Sequence, residues 1–304
     1  MSSISRRSFL KHSSIAITGA AYSKHFFSMN KTTPRLSFST LGCPTWNFSK
    51  VVDFAAANGY QGIELRGIAG ELDLTKCAEF SAGEIQNTLK KMEDKQLRFV
   101  DLGSSAELHH MDAAKRKFNL DAAKKFIDLA EKINCPFIRV FPNSLPKDQD
   151  RDATLNLVSQ GLHELAEYAK DSKVSVLLES HGELTHTNDL IRVMQNAEHP
   201  HAGMIWDVCN MWTVTKEPPS AVYNQLNKYI RHTHIKDLKL VNGEIHYVLL
   251  GQGESPIGEA LRLLYDSNYS GYYSFEWEKL WHPEILEPEI ALADYPKAVK
   301  KYFQ

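Results

Sequence analysis

Short β-rich runs and amphipathic helical patterns alternate along the chain from residue 35 onward. This alternation constrains the fold more than any other feature, because repeated strand–helix units place successive strands parallel in one sheet. Eight candidate strands can be counted. They lie at residues 36–42, 62–66, 98–103, 137–141, 174–179, 202–207, 230–235 and 272–277.

The segments between the predicted strands carry helical periodicity. In residues 113–133, apolar side chains recur at three- and four-residue steps: Phe118, Ala122, Phe126, Leu129 and Ile133. Eight strands and eight helices in 304 residues predict an α/β fold, a (β/α)8 TIM barrel, with residues 31–304 as a single domain. A doubly wound open sheet is the alternative, and it is disfavoured because no glycine-rich phosphate loop follows any strand.

One interruption of the repeat lies at residues 238–253. There Asn242-Gly243 stands between two β-prone runs, as in a tight β-hairpin. The sequence therefore predicts a hairpin flap over the barrel mouth.

The N-terminus differs in kind from the rest of the chain. Residues 5–11 read SRRSFLK and precede a modestly apolar run at 15–22, which is too short to span a bilayer. This string resembles a twin-arginine export signal. The resemblance implies export of the folded protein to the periplasm, with residues 1–30 as signal and tail. A basic disordered tail is the alternative interpretation.

Composition narrows the range of partners. The formal net charge is −2 at pH 7, so the chain has no strong field to attract nucleic acid or an anionic membrane surface. No membrane span is predicted. The four cysteines are scattered and predict neither a disulfide framework nor a thiolate zinc site. We expect a small-molecule partner, and the sequence leaves a homo-oligomer open.

Four consecutive predicted strands end in side chains that can bind a metal: Glu179, Asp207, His234 and Glu276. In a (β/α)8 barrel the C-terminal ends of the strands converge on one site, so one such residue per unit would place all four together. A lone strand-end carboxylate is commonly a solvated loop residue or a helix cap. Several together would be costly to bury without a compensating cation.

This set of side chains predicts the type of cofactor. Three carboxylates and one imidazole form a hard, oxygen-rich set of ligands. A divalent metal is therefore expected, with Mn²⁺ favoured and Mg²⁺, Co²⁺ and Zn²⁺ as alternatives.

The order Glu, Asp, His, Glu on strands five to eight, with His234 in the string HTHIKD, resembles the xylose isomerase-like sugar phosphate isomerase/epimerase superfamily. The resemblance covers residues 35–304, and the closing stretch 275–289 resembles an exported subgroup. It implies that the four strand-end residues are metal ligands and that Glu179 and Glu276 are catalytic. Asn210 stands where ketose 3-epimerases have a substrate-binding histidine.

Further polar and aromatic residues are predicted to surround the substrate at the barrel mouth. They are His181, Asn210, Glu64, Arg139, Lys236, Trp46, Trp281 and His282. Several of them have a structural alternative. Glu64 and Arg139 would suit an ion pair in the barrel core, and the last two residues would suit packing of the final loop.

The site predicts abstraction of a proton next to a carbonyl. A cation that holds the carbonyl and an adjacent hydroxyl lowers the energy of the enediolate that forms. Reprotonation then gives epimerisation or isomerisation of a carbohydrate or keto sugar. Loss of a β-leaving group would instead make the protein a lyase on 3-keto-glycosides or a dehydratase. A non-catalytic sugar-binding barrel is an alternative of another class. An endonuclease IV-like hydrolase is disfavoured because the chain lacks a basic face.

Overall fold

The computed structural model describes residues 33–304, and eight parallel strands close into a barrel within that range. The barrel strands are β1 (Arg35–Ser39), β2 (Gly62–Leu65), β3 (Arg98–Glu107), β4 (Phe137–Phe141), β5 (Ser175–Glu179), β6 (Ala202–Asp207), β7 (Ile230–Ile235) and β10 (Tyr272–Phe275). Each pairs in parallel with its neighbours, and β10 closes the ring between β7 and β1. The TIM-barrel prediction is confirmed, and the open sheet is excluded.

Helices separate the barrel strands. They are α1 (Phe48–Ala57), α2 (Ile85–Asp94), α3 (Ala113–Lys132), α4 (Arg151–Tyr168), α5 (Thr187–Asn196), α6 (Val208–Thr215), α7 (Pro219–Leu226), α8 (Ile257–Asp266) and α9 (Pro288–Ala298). Short 3-10 helices lie at Thr40–Gly42, Leu74–Lys76, Ala78–Phe80 and Val299–Tyr302. Side chains of Asn47, Asp112 and Asp150 accept backbone N–H bonds at the starts of α1, α3 and α4, which explains where these helices begin.

One residue that was predicted to lie on the buried face of α3 is exposed. Phe118 is 73% exposed, whereas Phe126, Leu129 and Ile133 are buried as predicted. Phe118 precedes the buried Ile127 by nine residues, or about two and a half helical turns, so the two side chains point in opposite directions. The periodicity identified the helix correctly but placed Phe118 on its buried face, whereas the buried residue in this turn is Leu120.

Strand register aligns the predicted ligands at one end of the barrel. Asp207 on β6 pairs with His234 on β7, and His234 pairs in turn with Ser274 on β10. Glu276 follows β10 immediately, and its backbone N–H donates to Ile235 at 3.0 Å. Because parallel strands end at the same edge, these residues and Glu179 at the end of β5 face one mouth.

The predicted hairpin is present between β7 and α8. Its strands, β8 (Asp237–Val241) and β9 (Glu244–Val248), are antiparallel. Asn242 and Gly243 both have positive φ, as a two-residue type I′ turn requires. The ring of Tyr247 lies 5.8 Å from the Nζ atom of Lys236, so the hairpin reaches the barrel mouth.

Two further sequence expectations concern location and redox state. In residues 33–304, no helix is long and apolar enough to cross a bilayer. All four cysteines are free and buried. The predicted export signal, residues 1–30, lies outside the described residues.

Candidate metal centre

All four predicted ligands meet at the C-terminal end of the barrel. One atom from each of Glu179, Asp207, His234 and Glu276 lies within 4.8 Å of the other three. His234 Nδ1 is 3.0 Å from Glu179 Oε1, 3.2 Å from Glu276 Oε1 and 4.0 Å from Asp207 Oδ2. All four side chains are buried. The geometry therefore groups three carboxylates around one imidazole nitrogen.

Asp207 directs one oxygen toward this centre. Its Oδ1 accepts the backbone N–H of Asn210 at 2.8 Å and caps the start of α6. Its Oδ2 is buried without a hydrogen bond, although Lys236 Nζ lies 2.7 Å away. Burial raises the pKa of Asp207 to about 7, even though the Lys236 charge opposes the rise. A buried carboxylate oxygen in this position is suited to a cation.

Each of the two glutamates has one oxygen toward His234 and the other on a cationic side chain. Glu179 Oε2 accepts from Arg139 Nη1 at 2.9 Å, and Glu276 Oε2 accepts from Lys236 Nζ at 2.6 Å. Burial acts to raise the pKa of Glu179, but the charges of His234 and Arg139 lower it to about 2. Burial also acts to raise the pKa of Glu276, and the His234 and Lys236 charges hold it well below its usual range. Both glutamates are therefore anionic at neutral pH.

Glu64 supports His234 from below. Its Oε2 atom accepts from Ser274 Oγ at 3.0 Å and contacts Nε2 of His234 at 3.2 Å and Nε2 of His232 at 2.9 Å. Burial acts to lower the pKa of His234, but the neighbouring carboxylates, led by Glu276, raise it well above its usual value. Glu64 thus orients the imidazole from inside the barrel, in the core ion pair that was its structural alternative, and it does not line the cavity. The strand pattern fixed the position of Glu64 along β2 but left its depth in the barrel open.

A cavity of about 210 Å³ opens beside the four residues. It is smaller than typical drug-sized pockets of roughly 300–1,000 Å³, and it suits one sugar unit. Its lining consists of Leu41, Arg66, Arg139, Phe141, Glu179, His181, Lys236, Glu276, Glu278 and Trp281. A groove of about 580 Å³ beside Phe118 is larger but contains none of the predicted ligands, so the chemistry favours the small cavity.

Four of the predicted substrate-binding residues lie in this lining: His181, Arg139, Lys236 and Trp281. Two charged residues there were not selected from the sequence. Glu278 Oε1 lies 2.6 Å from Lys236 Nζ, and Arg66 Nη2 donates to Ser105 Oγ at 2.9 Å. Each stands two residues after a strand-end carboxylate, so strand alternation was the available signal.

Three other predicted substrate-binding residues lie outside the cavity lining. Trp46 is buried beneath Lys50, whose Nζ atom is 4.1 Å from the indole ring. Asn210 uses its backbone N–H to hold Asp207. The His282 ring packs 4.9 Å from the ring of Tyr247 and joins the hairpin to the last loop. Their predicted roles in substrate binding stay predictions, and their places outside the lining depend on loop paths that the strand pattern does not set.

His181 forms one wall of the cavity. Its Nδ1 atom lies 2.9 Å from Asn143 Oδ1, and its ring packs 4.5 Å from that of Phe141. Burial lowers the pKa of His181, although the Glu179 charge opposes this. The neutral imidazole is therefore favoured.

Comparison with known proteins places this geometry in a family. A family model described as xylose isomerase-like TIM barrel matches residues 52–295. The chain belongs to this family. The resemblance inferred from the strand-end residues is thereby confirmed, while membership of an exported subgroup stays a prediction.

Within this family the chain is similar to proteins of differing activity. Fructoselysine 3-epimerase of Shigella flexneri is 24% identical over 232 residues, covering 73% of this chain and 82% of that protein. The 3-dehydroshikimate dehydratase of Bacillus anthracis is 24% identical over 204 residues, covering 63% and 67%. A xylose isomerase-like protein of Mycobacterium smegmatis, solved in complex with magnesium, has a TM-score of 0.67 and 17% identity, covering 90% and 97%.

Proposed function

We propose that the protein is a metal-dependent sugar isomerase or epimerase that removes a proton next to a carbonyl. The observation that carries this proposal is the meeting of Glu179, Asp207, His234 and Glu276 beside a sugar-sized cavity. The similarity to an epimerase supports the class of reaction. A carbohydrate or keto sugar is the proposed substrate class.

The residues present fit a divalent cation. Asp207 Oδ2 lacks a hydrogen bond, and Glu179 Oε1 and Glu276 Oε1 lie close to Nδ1 of His234. When bound, the cation supplies the positive charge that stabilises an enediolate. The oxygen-rich set favours Mn²⁺, with Mg²⁺, Co²⁺ and Zn²⁺ as alternatives.

The surrounding side chains have separate roles in proton transfer and in substrate binding. Glu179 and Glu276 act as proton acceptor and donor, and Arg139 and Lys236 hold the outer oxygen of each. Trp281, which is 56% exposed at the edge of the cavity, offers a flat apolar surface for a sugar ring.

Solvent-deuterium uptake tests this function directly. Metal-loaded protein is incubated in D₂O with fructose, tagatose, psicose or a 3-keto-glucoside, and the protons next to the carbonyl are followed by NMR. We expect exchange in the wild type and a loss of turnover of about 10²- to 10⁴-fold in Glu276→Gln and Glu179→Gln, as for a missing general base. His234→Ala should stay folded and lose the metal. Near wild-type turnover in both glutamine variants would refute the two-carboxylate mechanism.

Elimination of water from a keto substrate is a second candidate function. It is favoured by Lys236, whose buried ammonium lies 2.6 Å from both Glu276 Oε2 and Glu278 Oε1 in the cavity wall. After a carboxylate removes the α-proton, Lys236 would protonate the β-hydroxyl, so that the C–O bond breaks and water leaves. The similarity to a dehydratase supports this alternative. Ultraviolet absorption of a conjugated enone would identify elimination, whereas deuterium uptake alone would identify epimerisation or isomerisation.

A further inference from the structure

Asn143 connects the cavity to a carboxylate outside it. Its Oδ1 atom is 2.9 Å from His181 Nδ1, and its Nδ2 atom donates to Glu107 Oε1. His181 lines the cavity, whereas Glu107 lies at the end of β3. The three side chains therefore form a continuous chain of hydrogen bonds that ends at the cavity.

The chemistry of these groups fixes the direction of every bond in the chain. An ionised carboxylate only accepts, so Glu107 requires the amide nitrogen of Asn143 to face it. The amide oxygen must then face His181, and because that oxygen also only accepts, His181 Nδ1 must carry the hydrogen. In the neutral ring, Nε2 is then an acceptor.

The backbone around Asn143 holds this arrangement in place. Asn143 has φ of 48°, in the left-handed region that asparagine tolerates better than most residues. Its carbonyl oxygen accepts the N–H of Glu183 at 3.0 Å, and a Cβ atom on the adjoining Gly182 would lie 2.5 Å from that oxygen. Glu107 is held from its other side, since its Oε2 atom lies 3.0 Å from His110 Nε2.

We propose that Asn143 and Glu107 are positioning residues that set the tautomer of His181, so that the cavity selects a substrate with a hydrogen-bond donor opposite Nε2. Under the proposed function that donor is a sugar hydroxyl, and only this identity rests on the proposed function. A substrate that carries a carbonyl or ether oxygen at the same position is disfavoured, because two acceptors would face each other.

Nitrogen NMR of histidine-labelled, Mg²⁺-loaded full-length protein tests the tautomer. His181→Gln assigns the signals by removing them. We expect the wild type to show a protonated Nδ1 and an unprotonated Nε2, and we expect Asn143→Gly to give a mixture of tautomers or the opposite one. Glycine suits this substitution because it accepts positive φ without strain. A wild type protonated at Nε2, or an unchanged tautomer in the variant, overturns the proposal.

A matched control and a rescue separate positioning from general damage. Asn134 also has positive φ, at 54°, but caps the turn between α3 and β4, so Asn134→Gly should leave the His181 signals unchanged. Glu107→Gln should release the Asn143 amide to face either way and mix the tautomers. Adding Asn143→Asp should restore the wild-type tautomer, because the introduced glutamine amide then donates to an aspartate that accepts from His181. If the double variant does not restore the wild-type tautomer of His181, the proposed direction of the hydrogen bonds is wrong.

Measurements of turnover test whether the hydrogen-bond chain of Glu107, Asn143 and His181 acts on the substrate. On whichever keto sugar shows deuterium uptake, Asn143→Gly should lower kcat/KM by about tenfold, the effect of one hydrogen bond. The double variant should recover most of this loss. If no sugar is turned over, the proposed function fails while the NMR result still decides the relay.

Discussion

Glu64 shows how one buried carboxylate organises a histidine of the proposed metal centre. It contacts Nε2 of both His232 and His234, so Nδ1 of His234 is left for the three carboxylates above it. Carboxylate–histidine pairs of this kind fix the orientation of the ring and raise its basicity. The affinity of the proposed metal site should therefore depend on a residue that cannot touch the metal.

We expect Glu64→Gln to weaken metal affinity by roughly 10- to 100-fold. A glutamine amide has one acceptor oxygen and brings two N–H donors among side chains that donate. Competition between the protein and a metal-binding dye for Mn²⁺ or Zn²⁺ measures the change. Glu93→Gln, at an exposed position of α2, is the control. Equal affinities for the two variants would contradict the supporting role of Glu64.

Metal binding should release protons at neutral pH. The pKa of His234 is raised well above its usual value, and that of Asp207 is raised to about 7, so the metal-free site holds protons that a metal must displace. Affinity should therefore rise with pH and fall on acidification. Calorimetry at pH 7 in buffers of different ionisation enthalpy should report at least about one proton per metal. An affinity that stays constant between about pH 6 and 8 would contradict this assignment.

Among the elements, the hairpin formed by β8 and β9 depends most on a single side chain. The Asp237 carboxylate accepts the backbone N–H groups of Leu238, Gly251 and Gly253 and the hydroxyl of Ser255. One anion thus ties both ends of the hairpin to the end of β7. The position of Tyr247 above the cavity follows from this anchor.

Asp237→Asn should loosen the hairpin without unfolding the barrel. The amide group would turn two donors toward a nest of N–H groups, which costs about 2 kcal/mol. Amide hydrogen exchange in residues 238–253 should accelerate, while exchange in the barrel strands should not. Asp171→Asn, at an exposed position between α4 and β5, serves as the control. Unchanged exchange in the hairpin would show that other contacts hold it.

Sequence patterns predicted the secondary-structure elements better than they predicted how deeply each side chain lies in the barrel. The bounds of β4, β6 and β7 agree with the prediction at both ends, because each is a short β-rich run between helical patterns. Strand β3 continues to Glu107, although Gly103 and two serines suggested an earlier end. The four predicted ligands lie together because strand ends converge, whereas the places of Trp46 and Glu64 depend on how far a side chain lies from the mouth. Packing against other elements sets that distance, and no local pattern encodes it.

At the scale of the whole molecule, the barrel and the N-terminal segment support two separate expectations, one about the fold and one about the location of the protein. The barrel is a closed unit with buried thiols and no disulfide among its four cysteines. We propose that this domain is exported in the folded state. The SRRSFLK string of residues 5–11 is the part of the sequence that predicts such export.

Replacing Arg6 and Arg7 with lysine should retain the protein in the cytoplasm. The pair is the central feature of the predicted twin-arginine signal, and lysine keeps the charge while removing the guanidinium groups. Cell fractionation with antibody detection measures the distribution. Changing Lys11 and Lys24 to arginine preserves the total charge and should leave export intact. A double-lysine variant that still reaches the periplasm would refute the localisation proposal.

Glu179 pairs with Arg139, and Glu276 pairs with Lys236. These ion pairs have a consequence for whether folding or metal binding comes first. Small zinc domains stay unfolded without their ion, because metal binding supplies much of their folding free energy. Here Arg139 and Lys236 already offset the repulsion among the carboxylates, so we expect the chain to complete its fold before any ion is acquired. Under the proposed function, the compartment in which the protein completes its fold then decides which metal ion is bound. A protein exported after folding would keep the ion that it bound in the cytoplasm.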